Sequence, residues 1–211
     1  QVKAAADTAM ADHFTERLPD GYSTQLSEGD YTITLVFEKK NYSSRRFRCF
    51  ASRTYTEEDL ATLNSFAQWL NTIEGFPGIA EAGVDEPANL QMHFCTPSEM
   101  TALMGSQFTN MDGAVTFWYN MDDEIYDAII CCRSDVHQSL RNSVILEELY
   151  NGLGPVQDTF LRADSIIYAE FSQPQALTQI DELILRLLHH PSMECGMTAA
   201  ECETIIRQLY Y

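Results

Sequence analysis

Two glutamates and an asparagine lie close together in the segment 144–154, which reads VILEELYNGLG. On a helix Glu147 and Asn151 are one turn apart and share a face, with Glu148 beside them. A carboxylate at such a position can act as a general base, and carboxylate and amide oxygens can bind a hard divalent cation. The spacing therefore predicts a polar helix face with the residue types for acid–base chemistry or cation binding.

The same helix has a second, apolar face formed by Leu146, Leu149, Tyr150 and Leu153. This face must pack against a core, so we expect a buried helix over residues 139–153. An alternative stays open in which the segment is an ordinary core helix. Glu147 and Glu148 would then face solvent, and Gly152 or Gly154 would end the helix at positive φ.

The elements that must position this helix follow from hydrophobic periodicity. Alternating apolar residues predict strands near 31–37, 47–51, 89–94, 114–119 and 126–132, the last two forming a hairpin around the polar turn 120–124. A helical stripe behind Thr56 predicts a helix over 57–74, and further capping signatures begin at Thr96, Thr178 and Thr198. We expect a peripheral segment at residues 1–28 and a single α+β domain at 29–211, with a mixed, twisted sheet of about five strands.

Charge and composition restrict the partners. With 13 basic and 31 acidic residues the formal charge is −18, which disfavours nucleic acid and anionic lipid. No run of about 18 apolar residues predicts a membrane span. The start at Gln1, followed by small and polar residues, suggests that a signal peptide or lipid-anchor segment was removed, so we expect an extracellular or envelope location.

Six cysteines show no zinc-finger spacing. Cys195 and Cys202 are close enough for a small disulfide loop, with buried free thiols as the alternative. Cys131 and Cys132 are expected to point to opposite faces of a strand, which gives no argument for a Cys/His catalytic pair.

Other candidate residues have simple structural interpretations. His189 and His190 precede Pro191 and fit a helix C-terminus, and His93 alternates away from the apolar face of its strand. Ser165 lacks the Gly-x-Ser-x-Gly turn of hydrolases. Asp158 and Asp164 either cap turns or face the same cleft as Glu147.

Five segments of the chain, taken together, resemble a known protein family: EEDLATLNSFAQWLNTIEGFPGI, ANLQMHF, RNSVILEELYNGLGPVQD, DSIIY and LTQIDELILRLLHHPSMECGM. In this order they resemble a bacterial family of exported proteins of unknown function related to the zincin metallopeptidases. Its recurring helix reads Glu-Glu-x-x-Gln/Asn-x-Leu-Gly with an Asp beyond it. The resemblance covers about residues 55–211 and implies a zincin-like fold, in which 57–74 is a backing helix and C-terminal helices follow.

Zincins bind zinc through the histidines of a His-Glu-x-x-His helix and use its Glu as general base. By the resemblance Glu147 and Asn151 stand at the histidine positions, Glu148 at the general-base position, and Gln157 or Asp158 where a third ligand follows. Asn is a poor zinc ligand, so the resemblance implies no zinc cofactor, while another divalent cation stays open.

The implied function is that of an exported or envelope protein on a degenerate metallopeptidase scaffold, more a binding protein than an enzyme. Its ligand would be peptide or glycan in the remnant cleft, and a binding module predicts an open cleft along the edge of the strand at 89–94. The alternative is an active peptidase with an atypical metal site made of carboxylates and an amide.

Overall fold

A mixed β-sheet lies at the centre of the structure. The computed structural model describes residues 45–50, 55–82, 88–121, 124–170 and 176–210. The strands are β1 (Arg45–Phe50), β2 (Ile79–Glu81), β3 (Leu90–Cys95), β4 (Gly113–Tyr119) and β5 (Ile125–Arg133). Their order is β2-β1-β3-β5-β4, with parallel pairing except between β5 and the antiparallel strand β4. The α+β class with a mixed sheet is confirmed.

The described ranges hold five helices, which are α1 (Glu57–Leu70), α2 (Pro97–Met104), α3 (Gln138–Asn151), α4 (Gln179–Leu188) and α5 (Ala199–Tyr210). Four of these five helices begin directly after a threonine cap, and α3 is the exception, with His137 before its first residue. In α1, α2 and α4 a threonine hydroxyl accepts from the N3 amide, while the N3 carboxylate accepts from the threonine amide. These capping boxes satisfy amides that the first turn of a helix leaves unpaired.

The two faces of the sheet carry different cores. On one face, every second residue of β3 and β5 belongs to the main core. Met92 and Ile130 are examples, and they share this core with Leu63 of α1 and Leu149 of α3. The intervening residues face the other way, and Cys131 packs there with Met100 of α2. The period of two in a strand therefore separates a large core from a small one.

Several sequence predictions need correction. The helix predicted at 57–74 ends at Leu70, and the one at 139–153 runs from Gln138 to Asn151. Strand β2 was not predicted, because three residues carry too little periodicity for detection. The strand predicted at 31–37 and the segment 1–28 lie outside the described residues, and the division at residue 28 stays a prediction.

The predicted open edge along the strand at 89–94 is wrong. This strand, β3, pairs with β1 on one side and β5 on the other, so it lies inside the sheet. Of the two alternatives left open for Cys195 and Cys202, the structure shows free thiols, with Cys202 buried and Cys195 partly exposed. Across the described ranges, no helix is long and apolar enough to cross a membrane.

Candidate functional site

The candidate site lies where the C-terminal half of α3 meets the start of β4. Helix α3 packs against α1, β4 and β5, and its Leu149 and Tyr150 are fully buried. The helix ends at Gly152, which keeps a helical φ of −64°, and the reversal follows at Gly154 with φ 127°. A Cβ on Gly154 would stand 2.7 Å from Leu188 Cδ2, so α4 also requires a glycine there.

Glu148 is buried rather than solvent-facing, with 7% of its surface exposed. Its carboxyl group lies over Gly113, where a Cβ would stand 2.6 Å from Glu148 Oε1. Burial is the main reason that the pKa of Glu148 is raised well above its ordinary value, and the charges of Glu147 and Asp158 raise it further. The buried position therefore favours the neutral carboxylic acid.

Asn151 is the partner of Glu148. A hydrogen bond from the Asn151 side chain opposes the rise in the Glu148 pKa, so the amide donates to the carboxyl group. Asn151 is 7% exposed, and within the described part of the chain its Oδ1 has no hydrogen-bond partner. Asn151 stands at a ligand-equivalent position of the resemblance and Glu148 at its general-base position. These two side chains are thus hydrogen-bonded to each other.

Glu147 is half-buried and belongs to a small group of carboxylates at the surface. Burial raises its pKa to about 7, with smaller contributions from the negative charges of Asp158 and Asp112. Asp158 is exposed, and partial loss of water around its carboxyl group raises its pKa as well. The charge of Asp158 therefore acts on the carboxyl group of Glu147. That the two residues face one cleft stays a prediction.

Asp112 was missed by the sequence analysis. It precedes Gly113 at the start of β4, and its carbonyl oxygen accepts from the Arg133 amide at 2.8 Å. An Asp-Gly pair before a strand is an ordinary turn signal, so the sequence does not reveal that β4 packs on α3 and that the charge of Asp112 acts on Glu147.

Asp164 lies in a different environment from this group. The Arg162 guanidinium donates two hydrogen bonds to its carboxylate, from Nε to Oδ1 at 2.9 Å and from Nη2 to Oδ2 at 2.7 Å. This ion pair lowers the pKa of Asp164. Nearby, Ser165 Oγ donates to Asp181 Oδ1 at 2.6 Å, so its contact is with the buried cap of α4.

The donor set does not fit zinc. Neither ligand-equivalent position holds a histidine, and Asn151 uses its amide on Glu148. Among the described ranges there is no group of three or more His, Cys, Asp or Glu side chains arranged to hold a metal ion. Zinc sites use three or four such ligands, so no zinc chemistry follows from these residues.

A comparison with known protein families found a match over most of the chain. The model of a family described as "Protein of unknown function (DUF2927)" matches residues 45–208. The chain belongs to this family. The DUF2927 match begins at β1 and reaches into α5, so it includes α3, β4 and every carboxylate of the site. No curated protein matches the chain.

Proposed function

We propose that this DUF2927 domain is an exported binding protein on a degenerate metallopeptidase scaffold. It holds an extended peptide along β4, beside the carboxylates of α3, without hydrolysing it. The observation that supports the proposal is the environment of Glu148, which is buried against Gly113 and hydrogen-bonded to Asn151. A general base has to reach a water molecule, and a neutral carboxyl group packed in this way is badly placed to do so.

The arrangement of elements supports the scaffold part of the proposal. A mixed sheet with helices at 57–70 and 138–151 on one face, followed by C-terminal helices, is what the zincin resemblance implied. The polar face of α3 also lies beside the sheet, where the resemblance puts a remnant cleft. Export is proposed on the resemblance and on the acidic composition, which suits a protein outside the nucleic-acid-rich cytoplasm.

Strand β4 supports the binding part. It is the outer strand of the described sheet next to β5, and an outer strand can pair with an extended peptide through main-chain hydrogen bonds. Large apolar side chains around the turn between β4 and β5 are exposed: Trp118, Tyr119, Met121 and Tyr126. Exposed aromatic side chains next to a pairing edge provide pockets for the side chains of a bound strand.

The negative charge of the site indicates which side chains a bound peptide should carry. Asp112, Glu147 and Asp158 lie at the start of β4, so a peptide on this strand would bring one of its residues to three carboxylates. A basic side chain there gains Coulomb attraction and stabilises the ionised form of Glu147. The proposed ligand is therefore an extended peptide with alternating apolar and basic residues.

Binding of a defined probe tests this proposal. The probe is the blocked hexapeptide acetyl-(Val-Lys)3-amide, with acetyl-(Val-Glu)3-amide as its acidic counterpart, and calorimetry measures the affinity. We expect the basic peptide to bind at least tenfold more tightly, and Trp118→Ala and Glu147→Gln each to weaken it several-fold. Tyr210→Ala, which removes a comparably exposed ring from α5, serves as the control. Equal affinities for the two peptides, or binding of chitotetraose in their place, would contradict the proposal.

An atypical metallopeptidase is the second candidate, and one observation favours it. The buried Oδ1 of Asn151 has no hydrogen-bond partner among the described residues, so it could serve as an oxygen ligand for a hard cation. Elemental analysis of protein purified without chelator, together with cleavage of a quenched fluorescent peptide library, decides between the two. A stoichiometric ion with activity that Glu148→Gln abolishes would replace the binding proposal.

A further inference from the structure

A small sulfur-rich cluster lies on the face of the sheet opposite α3. Cys95 at the end of β3, Cys131 in β5 and Met100 of α2 are buried together, and Met104 packs against them. Cys132, the neighbour of Cys131, faces the main core instead. The cluster therefore brings two thiols and two thioethers from three elements to one place.

The two thiols are spaced for a shared metal rather than for a disulfide. Cys95 Sγ and Cys131 Sγ are 3.5 Å apart. Two sulfurs bound at ~2.3 Å to one three-coordinate metal stand ~4.0 Å apart at the trigonal angle, so metal binding needs a separation of only ~0.5 Å. A disulfide bond of ~2.05 Å needs an approach of ~1.5 Å within a packed core. The smaller displacement favours the metal.

A surface groove gives access to this pair. It has a volume of about 330 Å³ and is lined by His93, Cys95, Glu99, Ala102 and Leu103. Cys95 is 3% exposed and Cys131 is completely buried, so an incoming ion would meet Cys95 first. Glu99 is exposed at the groove, and its carboxylate attracts cations.

The side chain of His93 lines the groove together with Cys95. His93 and Cys95 are two residues apart on β3 and therefore lie on the same face of the sheet.

We propose that Cys95 and Cys131 bind one Cu(I) ion, with the Met100 thioether beside them. Thiolate and thioether ligands select Cu(I) among biological cations because soft donors bind a soft ion. Two copper–sulfur bonds form, the two thiol protons pass to water, and no oxidation takes place. This site is distinct from the carboxylates of α3, so it stands or falls independently of the proposed peptide binding.

Competition for copper tests the proposal on the full chain, reduced and without oxygen, with the Cu(I) complex of bathocuproine disulfonate as the probe. We expect each chain to remove one Cu(I) from the complex. Cys95→Ala and Cys131→Ala should each weaken binding at least tenfold. Cys202→Ala is the matched control, because it removes a buried thiol of α5 far along the chain from the cluster.

X-ray absorption on the wild-type complex gives a second readout that does not depend on the folding of variants. Sulfur neighbours at ~2.3 Å from copper are expected for this ligand set. A first shell of nitrogen or oxygen alone would overturn the proposal. So would equal copper affinity in all four proteins, or a Cys95–Cys131 disulfide formed with no copper retained.

Discussion

At the scale of single residues, the contact between Gly113 and Glu148 decides what the site can do. At Gly113 β4 comes close to the carboxyl group on α3, and a Cβ there would meet both Val144 and Glu148. The glycine is needed for this close approach rather than for a turn, since its φ is not among the positive ones. The burial of Glu148 therefore depends on a residue that contributes no side chain.

Replacing this glycine tests the contact. Gly113→Ala should destabilise the protein by about 1–3 kcal/mol, because β4 and α3 must separate to admit the methyl group. Urea unfolding measures the loss. Gly152→Ala is the control. Its Cβ would come no closer than 3.0 Å to any atom, with Ile130 Cδ1 at 3.0 Å and the Glu148 and Leu149 carbonyl oxygens at 3.3 and 3.4 Å, so we expect a smaller loss. Equal losses would show that α3 and β4 are not closely packed at Gly113.

Glu147 makes stability depend on pH. Its pKa is 4.5 in an unfolded chain and about 7 in the folded protein, so the folded state binds more protons between these values. The stabilisation is complete below pH 4.5 and is lost as the pH rises through about 7. Glu147→Gln should remove about 1–3 kcal/mol of this pH dependence, judged from unfolding curves at pH 5 and pH 8.

The matched control for that experiment is Glu194→Gln, which changes the same charge at an exposed position. It should leave the difference between the two pH values as in the wild type. A Glu147→Gln protein whose stability changes with pH as the wild type does would mean that this carboxyl group ionises normally in the folded state.

At the scale of elements, a buried ion pair joins α1 to α3. Arg141 Nε donates to Asp59 Oδ1 at 2.8 Å, with the two residues 5% and 0% exposed. Arg141 Nη1 also donates to the Ser134 carbonyl at 2.6 Å, and Gln138 Nε2 donates to Asp59 Oδ1 at 2.6 Å. The carboxylate that caps α1 therefore also fixes the first turn of α3.

Removing one partner of this pair should be costly. Arg141→Met leaves Asp59 buried without its cation, and we expect a loss of about 3–5 kcal/mol in the free energy of unfolding. Arg207→Met is the control, because it breaks an exposed pair with Glu203 within α5. Such pairs contribute about 0.5 kcal/mol or less. Similar losses in both proteins would refute the structural role of the buried pair.

Elements with local signals were predictable and their long-range partners were not. The cap of α1 follows from Thr56 and Asp59 being three residues apart, and the β4–β5 hairpin follows from a short polar turn. The ion pair to Arg141 joins residues 82 positions apart, for which the sequence has no periodic sign. For the same reason the sequence analysis predicted an open sheet edge at β3, which is wrong. Strand order depends on contacts between distant segments.

At the scale of the whole molecule, the candidate site was predictable as a helix face and not as a cleft. Residues 147, 148 and 151 share one side of α3 by helical geometry alone. Whether that side meets solvent or another strand depends on β4, and the covering of Glu148 follows from a tertiary contact with Gly113. The sequence therefore predicted which residues share this helix face but could not distinguish a buried acid from an exposed base.

The buried cap of α4 has a consequence for how the molecule opens. The Asp181 carboxylate accepts from Ser165 Oγ at 2.6 Å and from the Thr178 amide at 2.8 Å, while Tyr150 Oη donates to the Asp181 carbonyl at 2.8 Å. One residue thus ties the loop before α4, the helix itself and α3. Segments joined in this way open as one cooperative unit, so amides of 165–167 and of α4 should exchange with deuterium at similar rates.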